Sequence, residues 1–304
     1  MTENYFLNWK LFPVVVIVFF SLTFISTDKN RMELKVTKRI SLNGVPSASG
    51  IEIIKDTIYI IGDNSPWLFK LDADYKVIDK FQVFSIDNLE NDTIKKSNKP
   101  DFEAMTIVQN NATTEFYIFG SGSKSPQRDV LIIIDLDHPE KRRQISLTPF
   151  YKELKSQCEF TDDDLNIEAA IMHQDFISLF NRGKNTMIQF SISNFNSFIL
   201  EEIDEIKFNI INVNLPKINE FESGFSGACY LPEMNKILFT SSVENTPNWI
   251  DDGQVLGSFV GIIDLANLET TVQPICVPIS EKGKQLPLKI ESIAVNSIQK
   301  NKFK

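Results

Sequence analysis

SGIEIIKDTIYIIGDN (residues 49–64) reads as an apolar strand, a tight polar turn at Lys55-Asp56 and a second apolar strand. Four later stretches read the same way: EAMTIVQNNATTEFYIFGSGS (103–123), EAAIMHQDFISLFNRGKN (168–185), SGACYLPEMNKILFTSSVEN (226–245) and ESIAVNSIQ (291–299). Each copy begins on a small or acidic residue. A unit repeated along a chain in this way is the mark of a radial array. Working outward from the first copy, a third strand follows Gly-Asp-Asn-Ser-Pro at 67–71, and a fourth follows Asp-Ala-Asp-Tyr at 77–84. Four short strands joined by polar turns make one propeller blade. Third strands recur at 128–137, 185–193 and 257–266, and fourth strands at 143–150, 208–216 and 271–279.

The copies start at 49, 103, 168, 226 and 291, so they are spaced by 54, 65, 58 and 65 residues. These intervals exceed a minimal blade and place insertions at 90–100, 151–165 and 244–256. The expected fold is all-β, a five-bladed β-propeller of four-stranded blades over residues 31–304. Only thirteen residues follow Glu291, so the last blade reads as incomplete, through truncation or through unusual thinness. Residues 33–42 would supply its outer strand.

The N-terminus has a different character. Residues 11–26 (LFPVVVIVFFSLTFIS) are apolar without interruption, with Lys10 before them and Asp28, Lys29 and Arg31 after. Sixteen residues fall short of the roughly 20 of an untilted membrane span, although Phe6, Leu7 and Trp9 would extend it. The run resembles the apolar core of a signal peptide without an A-x-A site. Residues 1–30 are therefore expected to be a hydrophobic helix that directs export. It is either retained as a membrane anchor or cleaved, which makes the protein extracytoplasmic.

Composition narrows the function. A formal net charge of −9 disfavours nucleic acid and anionic lipid surfaces. Three cysteines at unrelated spacings (Cys158, Cys229, Cys276) form neither a disulfide framework nor a zinc site. Two histidines, His138 and His173, exclude a histidine-rich metal centre, and both sit in turns that suit a structural role. No Gly-x-Ser-x-Gly elbow is present.

In a propeller the innermost strand of each blade starts near one mouth of the central channel, so Ser49, Glu103, Glu168, Ser226 and Glu291 would converge on the axis. Three carboxylates facing one another repel, and burying them unpaired is costly. A hard cation resolves the conflict, and Ca²⁺ accepts carboxylate, hydroxyl, carbonyl and water oxygens in flexible geometry. Loops after the second strands should lie at the same mouth. They carry Asp63, Asn64, Lys124, Arg128, Arg182, Lys184 and Glu244. Cations there would hold a small anionic ligand or substrate beside the metal. Arg182, which follows its strand directly above Glu168, and Asp63, as a water-activating group, are the catalytic candidates.

The order Ser, Glu, Glu, Ser, Glu at the strand starts resembles the calcium ligands of the calcium-activated nucleotidases, the apyrase family. The chain is also similar to exported bacterial propellers of the esterase-like phytase type. The nucleotidase resemblance implies five blades, a central Ca²⁺ on those five residues and hydrolysis of phosphate esters or anhydrides. That family's acidic N-terminal stretch has no counterpart here, so the activity does not carry over with the fold. Three readings compete. The first is a calcium-binding propeller with a ligand at its mouth, and the second is a Ca²⁺-dependent hydrolase of nucleotides or other phosphate esters. The third, a glycosidase with paired carboxylates, needs two acids flanking a cleft rather than acids converging on one point.

Overall fold

A computed structural model describes residues 15–24, 32–85, 89–90, 92–109, 113–246, 253–299 and 302–303 of the protein. Two long strands come first. Strand β1 (Val15–Phe24) pairs antiparallel with β2 (Met32–Leu42), from Val15 opposite Leu42 to Phe24 opposite Met32. The expected N-terminal helix is thus a strand over these residues; residues 1–14 and 25–31 lie outside the described ones. The physical reason is local: VVIVFFSLTF is rich in β-branched and aromatic residues, which suit a pleated surface. Among the described residues, no helix is long and apolar enough to cross a membrane.

Four antiparallel blades follow, each an up-and-down meander, and together they give an all-β propeller. The first is β3 (Ala48–Ile54), β4 (Thr57–Gly62), β5 (Trp67–Leu71) and β6 (Val77–Gln82). The second is β7 (Phe102–Gln109), β8 (Thr114–Gly120), β9 (Val130–Asp135) and β10 (Arg143–Ser146). Here the expected fourth strand at 143–150 is cut short. Pro149 suits the first turn of a helix, and α1 (Thr148–Cys158) begins there. The third blade is β11 (Ile167–His173), β12 (Phe176–Asn181), β13 (Thr186–Ser191), helix α2 (Ile192–Ile199) and β14 (Asn209–Val213). After a small hairpin, β15 (Lys217–Ile218) and β16 (Phe221–Glu222), comes the fourth blade's β17 (Gly224–Leu231), β18 (Lys236–Asn245) and β19 (Gln254–Asp264). Its loop lends β20 (Thr271–Val272) in parallel to β14, covering the third blade's outer edge, before β21 (Ile275–Pro278) completes the meander.

Two-residue pairs β22 (Ser280–Glu281) and β23 (Lys284–Gln285) follow, and then β24 (Ile298–Gln299) and β25 (Lys302–Phe303). Strand β25 pairs with β1, so one sheet of order β2-β1-β25-β24 joins both ends of the described chain.

The second strands are near-continuous apolar runs because each blade is covered on both faces by its neighbours. Along β8 the period of two separates the two interfaces. Phe116 and Ile118 pack toward Tyr59, Ile61 and Leu68 of the first blade. Tyr117 and Phe119 pack toward Ile177, Leu179 and Ile188 of the third, together with Phe150, Tyr151 and Leu154 from α1. Phe180 and Met187 meet Phe225, Phe239 and Ile263 between the third and fourth. The outer strand β6 is exposed along most of its length, and charged Asp79 and Lys80 blunt that edge.

Between the fourth and first blades, residues 290–295 run beside the inner strands. Ile290 and Ile293 join Leu231, Leu238 and Val260 in one core cluster with Met32 of β2. The backbone N–H of Ile51 donates to Ser292 Oγ (3.2 Å). A Cβ on Gly227 would lie 2.5 Å from Ser292 Cα, so the close approach of the two backbones demands glycine there. Gly227→Ala is expected to cost about 1–3 kcal/mol as overpacking, a fall of a few degrees in unfolding temperature that calorimetry would read. Nearby, burial pushes the Glu52 carboxyl up from 4.5 to about 8. Burial raises the Cys229 thiol first, and Glu52 raises it further. The stability linked to Glu52 is fully present below its unfolded value and lost as pH rises through about 8. Thermal unfolding scanned from pH 5 to pH 9 should therefore show a decline that Glu52→Gln flattens, with the variant the more stable at pH 9.

Candidate functional site

Four of the five repeated residues occupy one structural position. In each complete blade the pairing of the first two strands slips by one residue at that site: between Ala48 and Gly50, Phe102 and Ala104, Ile167 and Ala169, and Phe225 and Gly227. Ser49, Glu103, Glu168 and Ser226 are the bulged residues. A bulge releases one residue from the ladder and re-aims its side chain, and such features concentrate beside functional sites. The residue after the repeated position is small in every copy (Gly50, Ala104, Ala169, Gly227, Ser292), a signal in the sequence that accompanies the close packing of inner strands.

Backbone hydrogen bonds repeat with the bulges. The residue that closes β4, β8 or β12 donates its N–H to the residue two before the bulge: Asp63 to Ser47 (3.1 Å), Ser121 to Asp101 (2.9 Å) and Arg182 to Asn166 (2.8 Å). Its carbonyl then accepts from the next blade, Asp63 from Phe102 (3.3 Å) and Ser121 from Ile167 (2.8 Å). Ser47 (φ 44°) and Asp101 (φ 59°) adopt the left-handed region to make these connections.

The glutamates influence one another electrostatically. Burial first, and then Asp101, Glu168, Asp63 and Glu291, hold Glu103 well above the ordinary carboxylate range. Burial raises Glu168 to about 7 against the pull of Arg182 and Lys289, and raises Glu291 as well. The serines behave differently. Ser49 Oγ donates to Ser47 O (3.1 Å), while Ser226 Oγ bonds Thr240 Oγ1 (3.2 Å) and accepts from Ser242 Oγ (3.3 Å). Among the described residues no contact joins either serine to the glutamates.

Four cations stand among the acids. Lys99 bridges Asp63 and Asp101, and Arg128 pairs with Asp101 and Ser123. Arg182 Nη2 pairs with Glu244 Oε2 (3.1 Å), and its Nη1 lies 3.9 Å from Glu168 Oε2. Lys289 joins Glu244 and Glu291, each at 3.2 Å. Asn166 Nδ2 donates to Glu168 Oε1 (2.8 Å). Arg182 is 3% exposed; burial opposes its charge, but Glu168 and Glu244 hold it above its ordinary value. Glu103 makes no hydrogen bond or ion pair among the described residues, and its carboxylate lies with those of Asp63 and Asp101 within 4.8 Å of one another.

Of the loop residues expected at this mouth, Asp63, Arg128, Arg182 and Glu244 are part of the charged cluster. Lys184 instead pairs with Asp164 (2.9 Å) and lies over the Phe160 ring, and Lys124 is exposed. Asn64 is half-buried with its Oδ1 unbonded, and its carbonyl accepts from Ile94. Asp101, Lys99, Asn166 and Lys289 join the cluster without standing at a repeated position. Three of them sit two residues before a glutamate of the repeat, on the strand period of two, and that spacing is the signal in the sequence that marks them.

The family of unknown function DUF6929 matches residues 44–304. The chain belongs to that family. No curated protein matches it. Similar solved structures include the β-propeller domain of Cps50 (Swd1) from Myceliophteria thermophila, at 9% identity and TM-score 0.34 over 72% of this chain and 52% of that one. Hydrazine synthase of Kuenenia stuttgartiensis is similar at 12% identity and TM-score 0.35 over 73% and 64%. A nidogen/laminin complex is similar at 11% identity and TM-score 0.34 over 60% and 56%. The chain thus spans about half to two thirds of those chains. The nucleotidase and phytase resemblance finds no support in these matches.

In this DUF6929 propeller the buried ion pairs bind the mouth together. Arg182→Met strips a partner from two buried glutamates and should cost about 3–5 kcal/mol in denaturant unfolding at pH 8. Adding Glu244→Gln to that variant should return part of the loss.

Proposed function

We propose that the protein is a calcium-binding β-propeller of five blades whose charged mouth holds a small ligand beside the metal. The carboxylates of Glu103, Asp63 and Asp101, which lie within 4.8 Å of one another, carry this reading, and Glu103, Glu168 and Glu291 are each raised above their ordinary values by burial and by other carboxylates. Six carboxyl groups (Asp63, Asp101, Glu103, Glu168, Glu244, Glu291) stand against four cations (Lys99, Arg128, Arg182, Lys289), so full ionisation would leave two negative charges in excess. A divalent ion neutralises that excess, and its chemistry is the hard-oxygen coordination that Ca²⁺ prefers. Glu103, the acid without an ion pair, would be its first ligand, with Glu168 and Glu291 as its partners and the Ser49 and Ser226 positions completing the ring of five.

The fifth blade in this reading is the sheet β2-β1-β25-β24, with residues 290–295 as its inner run between β17 and β3. The contacts of Ser292 with Gly227 and Ile51 support it. Arg128 and Lys99, both paired with Asp101 beside Glu103, are the cations for an anionic group. The ion pairs of Asp63 with Lys99 and of Arg182 with Glu244 favour binding over hydrolysis, since both catalytic candidates are already engaged. Export rests on the apolar run at 11–26 alone.

Thermal unfolding of the full chain in millimolar Ca²⁺ and in excess EGTA tests the metal. Saturating Ca²⁺ at 100 times Kd adds about 2.7 kcal/mol, read as several degrees in the midpoint. Glu103→Gln and Glu168→Gln should both lose that shift, and Glu103→Gln, which removes an acid without an ion pair, should be more stable than the native chain in EGTA. A native chain indifferent to Ca²⁺ overturns the metal site.

A further inference from the structure

The opposite face of the ring carries a second site of different chemistry. A cavity of about 200 Å³ lies between the third and fourth blades, lined by His173, Phe176, Gln189, Asn209, Asn235 and neighbouring leucines. The turn between β11 and β12 supplies His173 and Phe176, the turn before β18 supplies Asn235, and Leu265 follows the end of β19. All these are strand ends remote from the bulges. The volume is below the range of about 300–1,000 Å³ for drug-sized pockets and suits a molecule of one ring.

The lining mixes polar and apolar side chains and carries no formal charge. Asn209 Nδ2 donates to Gln189 Oε1 (3.0 Å), which turns Gln189 Nε2 toward His173 Nε2 at 3.2 Å. Ser178 Oγ lies closer to the same ring nitrogen, at 2.9 Å, so His173 Nε2 is engaged from within the protein and Nδ1 is the ring nitrogen left over. Burial lowers the His173 pKa and so keeps the imidazole neutral. Tyr230 Oη donates to Asn235 Oδ1 (3.1 Å). These bonds leave His173 Nδ1, Asn209 Oδ1 and Asn235 Nδ2 without a partner among the described residues. An imidazole nitrogen, an amide oxygen and an amide N–H group therefore remain around one cavity. The Phe176 ring, stacked on His173 at 6.1 Å and 26°, is 43% exposed. An exposed aromatic at the rim of a polar cavity is an apolar platform without a cover.

We propose that this cavity binds a neutral polyhydroxylated ring, a monosaccharide or cyclitol unit. Hydroxyl groups both donate and accept, and so suit a mixed set of donors and acceptors that a purely anionic or cationic ligand does not. A neutral ligand also leaves no unpaired charge in a site without ionised groups. The C–H face of such a ring packs on Phe176 and on Leu265 and Leu268.

The test is saturation-transfer NMR on the full chain with D-glucose, D-galactose, D-mannose, D-xylose and myo-inositol. Glucose 6-phosphate and glucuronate serve as charged controls. Saturable millimolar binding of at least one neutral probe is expected, unchanged by EGTA and so independent of the metal reading. Phe176→Ala and Asn209→Leu alter exposed side chains and should each weaken it about tenfold without lowering the unfolding temperature. Three results overturn the proposal: no neutral probe binds, both variants bind as the native chain does, or a charged control binds more tightly than every neutral probe.

Discussion

The backbone hydrogen bond that crosses from one blade to the next governs the rest of this molecule. Buried amides need partners, and here the carbonyl closing one blade's second strand accepts from the N–H just before the next blade's bulge, as Asp63 does from Phe102 and Ser121 from Ile167. The bond sets the height of each inner strand relative to its neighbour. Because the bulge follows immediately, that height also sets where the released side chain goes. A shift of one residue would send Glu103 or Glu168 into the apolar interface between blades, where a carboxylate has no partner. The small residue after each bulge allows the inner strands to approach closely enough for the bond to form.

Charge is confined by the same geometry. Between the blades lie Phe, Ile and Leu side chains, so ionised groups collect where the inner strands begin. There the acids are paired by cations drawn from distant parts of the chain. Arg182 and Glu244 are 62 residues apart, and Glu244 also meets Lys289. Breaking such a pair strands a buried charge, which costs more than the pair itself contributes. Glu103 stands outside this pairing, and that separates it chemically from Glu168 and Glu291. The far face shows the converse arrangement, with amides and a neutral imidazole around a cavity and the nearest charges outside its lining. One ring thus presents two mouths of unlike chemistry.

Much of this architecture is legible in the amino-acid sequence. The repeat places Ser49, Glu103, Glu168 and Ser226 at equivalent positions, and they are the bulged residues of four blades. Strand order within the blades follows from the alternation of apolar runs and polar turns. Other elements mislead. The run at Val15–Phe24 has the apolarity of a membrane or signal helix, yet pairs as a strand along β2. Hydropathy measures burial and cannot say which partner provides it. The end of the expected strand at 143–150 and the insertion at 151–165 conceal a helix whose Phe150, Tyr151 and Leu154 fill the wedge between two blades.

Local periodicity, repeated in every blade, is enough to dictate the blade repeat, the register of its inner strands and the shared position of Ser49, Glu103, Glu168 and Ser226. Those features are therefore written in the order of residues along the chain. Which cations face the glutamates was left to the folded ring, as was the turning of the two serines toward protein partners. Folding also brought His173, Gln189 and Asn209 into one cavity with Asn235 from the next blade. Such contacts join residues from different blades, and no local pattern records a neighbour that only ring closure brings near.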